Sequence, residues 1–382
     1  MTSVAWLGTM FLNALKMLIV PLVFTSMVTG IAGLGDIRNF GKLGKKTVLY
    51  YLSTTMIAVT IGIVLVNIIQ PGAGVQPLTS DIPERVQNKS DFSFVQVLVG
   101  LFPPNIFQAM ANTDLLPVII FALVFGGVLS TRGEEAKNIL NVFSVFNDVL
   151  LKMVQMVLFF APIGIFGLIA GRLGLAGGGD AVWADIISIG KYTFTVILGL
   201  FIHGYIVLPF IYLVLCRKMN PYTYIKGIAT ALTTAFATAS SAATLPLTMK
   251  VTQENNKVDK KYVNFVLPLG ATVNMDGTAL YESVAAIFIA QAYNIHLSLG
   301  QQVVIFMTAS LAAIGAAAIP GAGLITMSIV LGAVGLPIEG IGLILAVDRL
   351  LDMFRTTVNV FGDCVGTIFV DSLLNKEEAK SN

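Results

Sequence analysis

Charge is what this sequence has least of. Lys, Arg, Asp and Glu together make up 12% of 382 residues, well below the roughly 25% of soluble domains. Histidine and cysteine are rarer still, with two of each. Cys216 and Cys364 are too few and too isolated for a disulfide framework or a metal-ligand spacing. Neither His203 nor His296 stands in a pattern that would give it a metal or an acid–base partner, and no phosphate-binding loop occurs. The chain is not read as an enzyme. No cofactor is expected from these residue types, and the net charge of +2 points to no nucleic-acid partner.

What is abundant is apolar side chain, 56% of the total. A spanning helix needs about 20 mostly apolar residues. The segments Val4 to Gly33, Thr47 to Gln70, Leu115 to Leu129, Ile139 to Ala170 and Val182 to Leu215 read as membrane helices. The basic loops fix an orientation. Arg38, Lys42, Lys45 and Lys46 follow the first segment, Arg217, Lys218 and Lys226 the fifth, and Lys250, Lys257, Lys260 and Lys261 come later; all are placed on the cytoplasmic side. Before Val4 there is no charged region or cleavage site of signal-peptide type, and this orientation puts Met1 outside.

From Ile228 onward Gly, Pro, Ser and Asn interrupt the apolar runs. Irregular backbone at membrane depth survives only inside protein or around a watery cavity. "TTAFATASSAATLP" (233–246) and "AAIGAAAIPGAG" (312–323) each read as a hairpin that dips in and returns. A small-residue helix interface is the competing reading, but paired interruptions point to the binding site of a transporter. In "DRLLDMFRTTVNVFGD", Asp348, Asp352, Arg355, Thr356, Asn359 and Asp363 fall on one helical face. Charges at membrane depth cost about 2.5–3.5 kcal/mol each on insertion scales, so that face must be sheltered. Asp352 and Arg355 could also be a purely structural ion pair. In "LPLGATVNMDGTALYE", Asn274, Asp276 and Gly277 interrupt a spanning helix, and an unwound turn there would offer oxygens to a hard cation. Glu282 is a candidate proton carrier or a neutral, hydrogen-bonded acid.

With "NMDGT", "SSAATLP", "PGAG" and "LDMFRTTVNVFGD" in this order, the chain resembles the dicarboxylate/amino acid:cation symporter family, from about Phe11 to Phe369. The resemblance implies an all-α integral membrane protein with two re-entrant hairpins, broken helices and inverted repeats, working as an elevator-type homotrimer in the cell (inner or plasma) membrane. It implies scaffold helices and the start of the transport domain over 1–70, an extracellular loop and further helices over 71–227, and a transport core over 228–382. The family's first helix is expected to be missing from this chain.

For substrate, the matching positions are Ser241, Thr278, Ile319, Gly323, Asp352, Arg355, Thr356 and Asn359. Asp352 would meet the amino group and Arg355 the acidic side chain, with "PGAG" as gate. For sodium, one site matches Gly270, Asn274, Asn359 and Asp363, and a second Tyr51, Thr54, Thr55, Asn274 and Asp276. A third matches Thr272 and Met275 with carbonyls of Ala313, Ile314 and Ala316. Without the family, Tyr51, Thr54 and Thr55 read as ordinary packing. Ala239 and Met353 stand where other members carry a second arginine, which leaves Arg355 as the pocket's guanidinium. Glu282 matches the position tied to proton coupling.

The expected function is import of L-aspartate or L-glutamate coupled to sodium, with protons as a further candidate. The alternatives are purely proton-coupled uptake, a neutral amino acid or C4-dicarboxylate substrate, a passive channel, and an intramembrane hydrolase using Ser240 or Ser241. For the last no activating base is evident.

Overall fold

The computed structural model describes residues 4–32, 41–74, 99–175, 180–216, 220–316 and 321–381. Among them no strand occurs. The helices are α1 (Ala5–Ala32), α2 (Gly41–Ile69), α3 (Ile106–Ala111), α4 (Leu115–Ser130), α5 (Lys137–Phe159), α6 (Ala161–Leu175) and α7 (Asp180–Phe201). After two wide π turns, Ile202–Val207 and Tyr212–Cys216, follow α8 (Pro221–Thr238), α9 (Ser241–Glu254), α10 (Lys260–Val273), α11 (Asp276–Ala292), α12 (Leu299–Ala312), α13 (Ala322–Val334) and α14 (Ile341–Ser381). Five helical stretches are long and apolar enough to cross a membrane. Large apolar side chains such as Met17, Ile68, Val142 and Phe159 point outward, as a lipid-facing surface requires.

One expected span is corrected. Ile139 to Ala170 is not a single helix, because α5 stops at Phe160 (φ −87°, ψ 1°) and α6 restarts at Ala161. Pro162 supplies the reason: without an N–H it fits a first helical turn and not a helix interior.

At both expected hairpins the flanking helices pack as pairs, α8 with α9 and α12 with α13. At the first tip Ala239 turns left-handed (φ 50°) and Ser240 caps α9 by accepting from the Ala243 N–H. A left-handed alanine costs roughly 1 kcal/mol, so the tip is held by its surroundings. Thr238 Oγ1 helps by accepting from the Ser240 N–H. The second hairpin runs from α12 through a tight turn at Ala313–Gly315 to Gly321 (φ 80°) and α13. Residues 317–320, and Ile319 with them, lie outside the described residues.

Helix α11 is the axis of the molecule. Every residue from Asp276 to Ala290 is buried, which is why its sequence is apolar all round rather than striped. It packs on α2, α7, α12, α13 and α14. Helix α1 packs on α4, α5 and α6; Phe11, Leu12 and Leu15 belong to the apolar cluster around α11, while α1 residues from Leu18 onward join a second cluster that reaches Ile325 and Ile329 of α13.

Two contacts fix the level of α1 against this core. Lys16 Nζ is 2.6 Å from Glu339 Oε1, just before α14 begins. Lys16 lies eleven residues into α1, about 16 Å along it. The start of α14 is therefore level with the middle of α1. Near the other end of α1, a Cβ on Gly30 would sit 3.6 Å from the Ile314 carbonyl oxygen, at the tight turn of the second hairpin.

Within the α1 bundle the backbones touch. A Cβ at Gly126 of α4 would lie 2.8 Å from the Val28 carbonyl oxygen and 3.1 Å from its Cα. Neither helix can yield locally. Gly126→Ala is expected to destabilise the protein by about 1–3 kcal/mol, read as a lower melting temperature in detergent.

Candidate functional site

The "NMDGT" break is where the site begins. Asn274 (φ −103°, ψ 81°) and Met275 (φ −113°, ψ 60°) leave helical geometry between α10 and α11. Asn274 still closes the end of α10, its N–H donating to Gly270 O at 2.9 Å. Its side chain, however, turns inward, and Nδ2 donates to Asp363 Oδ1 of α14 at 3.0 Å. Gly277 is required here because a Cβ would lie 2.7 Å from the Arg355 carbonyl oxygen. The close crossing lets the Gly277 N–H reach Asn359 Oδ1 at 2.7 Å. Asn359 Nδ2 in turn donates to Thr278 Oγ1 at 3.2 Å.

Around Asp276 the donors come from α2. Asp276 Oδ1 accepts from Thr55 Oγ1 at 2.7 Å and from Thr54 Oγ1 at 3.3 Å, while Thr54 also lies 3.4 Å from Asn274 Oδ1. Tyr51 and Gly270 border the other carboxylate. A Cβ on Gly270 would stand 2.3 Å from Asp363 Oδ1 and 2.6 Å from the Tyr51 hydroxyl, which itself donates to Val266 O at 2.7 Å. Asp276 and Asp363 are fully buried or nearly so, and neither has an Arg or Lys partner among the described residues. A buried carboxylate without a countercharge is costly. Carboxylate, amide and hydroxyl oxygens converge on it, a donor set that fits a hard cation. Among the described residues no cluster of three or more His, Cys, Asp or Glu side chains occurs that would suit a softer metal.

Of the expected third set, Met275, Ala313 and Ala316 share one apolar cluster. Thr272 Oγ1 is engaged by Leu269 O at 3.2 Å.

One turn along α14 from Asn359 lies Arg355, the largest side chain that is fully buried. Its Nη2 donates to Asp352 Oδ1 at 2.8 Å, Nη1 is 3.3 Å from Asp348 Oδ1, and its guanidinium carbon lies 3.8 Å above the Tyr281 ring. Tyr281 also donates to Asp348 Oδ1 at 2.7 Å. The guanidinium is thus held on two edges and one face. Asp352 spends its other oxygen on the second hairpin, where Oδ2 accepts from the Gly321 N–H at 2.8 Å. Gly323 lets the hairpin in, since a Cβ there would lie 2.5 Å from Arg355 Nη1. Thr356, next to Arg355 on α14, and Ser241, at the start of α9, are both buried. Phe236 of the first hairpin meets Phe354 with ring centroids 5.1 Å apart. Glu282 is fully buried, and neither of its oxygens makes a hydrogen bond among the described residues.

Three participants were not assigned from sequence. Asp348 was seen only as a member of the stripe, and Tyr281 carried no signal beyond its place in "ALYE". His203 was left without a partner, yet it is fully buried with Nε2 3.0 Å from Asp276 Oδ2. The signal available was its position inside an apolar run.

The pattern of the sodium:dicarboxylate symporter family matches residues 1–373. The chain belongs to that family. It is 42% identical to "Excitatory amino acid transporter 3" of Mus musculus, over 98% of this chain and 80% of that protein. It is 41% identical to "Excitatory amino acid transporter 1" of Ambystoma tigrinum, over 97% and 77%, and 40% to "Excitatory amino acid transporter 2" of Mus musculus, over 98% and 74%. Members are membrane transporters and not enzymes, in keeping with the apolar helices and the missing catalytic patterns.

The tight approach at Gly270 makes it a probe of the Asp363 carboxylate. Gly270→Ala is expected to push that carboxylate aside and to destabilise the protein by about 1–3 kcal/mol, read as a lower melting temperature in detergent. Gly323→Ala, at the guanidinium, is expected to act in the same direction.

Proposed function

We propose that this symporter imports L-aspartate or L-glutamate, driven by sodium moving down its gradient. The observation that carries the reading is the stack of Arg355, Asn359 and Asp363 at one-turn intervals along α14, all buried on one face. Arg355 is the group for a carboxylate. Asp363 is the group for a cation. Asn359 lies between them and is bonded to the unwound "NMDGT" turn, so an ion that reorganises that turn changes the seat of the substrate.

Asp352 holds the edge of Arg355 that a substrate carboxylate would take. An acidic amino acid brings both charges needed to replace it: its ammonium takes Asp352, and its side-chain carboxylate takes the freed edge of Arg355, while Thr356, Asn359, Thr278, Ser241 and the backbone near Ile319 and Gly323 hold the remaining polar atoms. A neutral amino acid would leave Arg355 short of an anion, and a C4-dicarboxylate would leave Asp352 without an ammonium. Sodium is held by Tyr51, Thr54, Thr55, Asn274 and Asp276 at one site, by Gly270, Asn274, Asn359 and Asp363 at another, and by Thr272 and Met275 with carbonyls of Ala313, Ile314 and Ala316 at a third. Its charge offsets the buried carboxylates. Glu282, buried without a hydrogen bond, is the candidate for proton coupling.

The core of α2 and α7–α14 slides as an elevator against the α1 bundle, within a homotrimer in the plasma membrane.

Labelled L-aspartate uptake into liposomes containing the purified protein tests the reading. Accumulation is expected with an inward sodium gradient and none with choline in its place; uptake driven by protons alone would overturn the sodium assignment. Removing one member of a buried, hydrogen-bonded charge pair costs about 2–5 kcal/mol, so Arg355→Cys should lower aspartate uptake by ~30-fold or more and admit neutral amino acids. Glu282→Gln should flatten the pH dependence of uptake while leaving its sodium dependence in place.

A further inference from the structure

Helix α7 does not end where its α geometry ends. It continues through the wide turns Ile202–Val207 and Tyr212–Cys216, on either side of Pro209. Proline offers no N–H to the helix ladder, and wide turns are found mostly as isolated insertions near functional sites. The first wide turn carries His203 into contact with Asp276. Next to it, Gly204 brings the backbone against α14, where a Cβ would be 3.4 Å from Val358 Cγ2.

The pairing divides the work of one carboxylate. Asp276 Oδ1 faces the Thr54 and Thr55 hydroxyls of α2, and Oδ2 faces His203 Nε2 at 3.0 Å. A neutral imidazole has one N–H, and the nitrogen that gains by holding it is the one facing the carboxylate. Nδ1 makes no hydrogen bond among the described residues, so no competing acceptor calls for the proton there. His203 therefore donates from Nε2 to Oδ2. Without that bond the carboxylate could rotate about its Cβ–Cγ axis or turn both oxygens toward α2, since Thr54, Thr55 and Asn274 all lie on that side.

We propose that His203 is a positioning residue for the cation site centred on Asp276: it pins Oδ2, so that Oδ1 and the hydroxyls of Thr54 and Thr55 present a fixed oxygen face. His203 does not touch the ion or the substrate. It acts through Asp276, in the way an outer carboxylate or carbonyl orients a ligating side chain at other cation sites. The inference rests on the reading of Asp276 as a sodium ligand, and the experiment separates the two.

Sodium binding is measured by isothermal titration of the purified, substrate-free protein with NaCl, choline chloride holding the ionic strength constant. The amide nitrogen of glutamine reaches about as far as Nε2 of histidine, whereas asparagine reaches only about as far as Nδ1. His203→Gln is expected to stay within about threefold of the parent dissociation constant. His203→Asn and His203→Leu should weaken binding by about tenfold or more, the usual effect of removing a partner of a ligating group. They should also narrow the discrimination between sodium and lithium, because a carboxylate free to rotate adapts to the smaller ion. A general packing role would make Gln and Asn alike, and that result overturns the proposal, as does parent-like binding by His203→Asn. Asp276→Asn decides the underlying reading: unchanged sodium binding in that variant removes the cation site itself. Loss in Asp276→Asn together with parent-like His203→Asn removes only the role of His203. If His203→Leu does not fold, the Gln and Asn variants still give the answer, being polar and close in size.

Discussion

Two buried carboxylates, Asp276 and Asp363, impose the constraint around which the core is arranged. Neither is met by Arg or Lys among the described residues, and both are buried. Removing them from water is tolerable only with a dense set of donors, or with a cation. The unwound Asn274–Met275 turn supplies part of that set, and it can exist only because α2, α7 and α14 close around it and keep lipid away. The glycine at 270 follows from the same requirement. A Cβ there would crowd the Asp363 carboxylate and the Tyr51 hydroxyl.

The second polar centre is organised differently. Arg355 already has anionic partners, Asp348 and Asp352, and an aromatic face, Tyr281. Its Nε and Nη1 make no hydrogen bond among the described residues. Ala239 and Met353 bring no second guanidinium. One guanidinium serves both aspartates, and Asp352 has an oxygen left to hold Gly321 of the hairpin. Ala239 does something else, forming the left-handed tip of the other hairpin.

Much of this was legible because polar residues in an apolar chain stand out. The stripe from Asp348 to Asp363, the "NMDGT" interruption and the small-residue hairpin tips were each readable from local sequence. Their burial follows from the cost of charge at membrane depth. What could not be read were pairings between distant positions. Tyr281 and Asp348 are 67 residues apart, and His203 and Asp276 are 73 apart; no periodicity links them. The break at Phe160 was missed for another reason. A proline two residues past a helix end looks, in a hydropathy pattern, the same as one inside a kinked span. The sodium and substrate roles came from family resemblance, since an oxygen cluster by itself does not say which cation it takes.

The sign of the charge in the core has a consequence for the order of events. Asp276, Asp348, Asp352 and Asp363 carry four formal negative charges, and Arg355 carries one positive charge. A region of that sign repels an anionic solute and attracts small cations at any distance not screened by salt. A cation that settles there lowers the cost of bringing in an anion. By linkage a bound anion would hold such cations in place with the same free energy. The charge balance of these side chains thus favours cations over an acidic solute as the first to arrive.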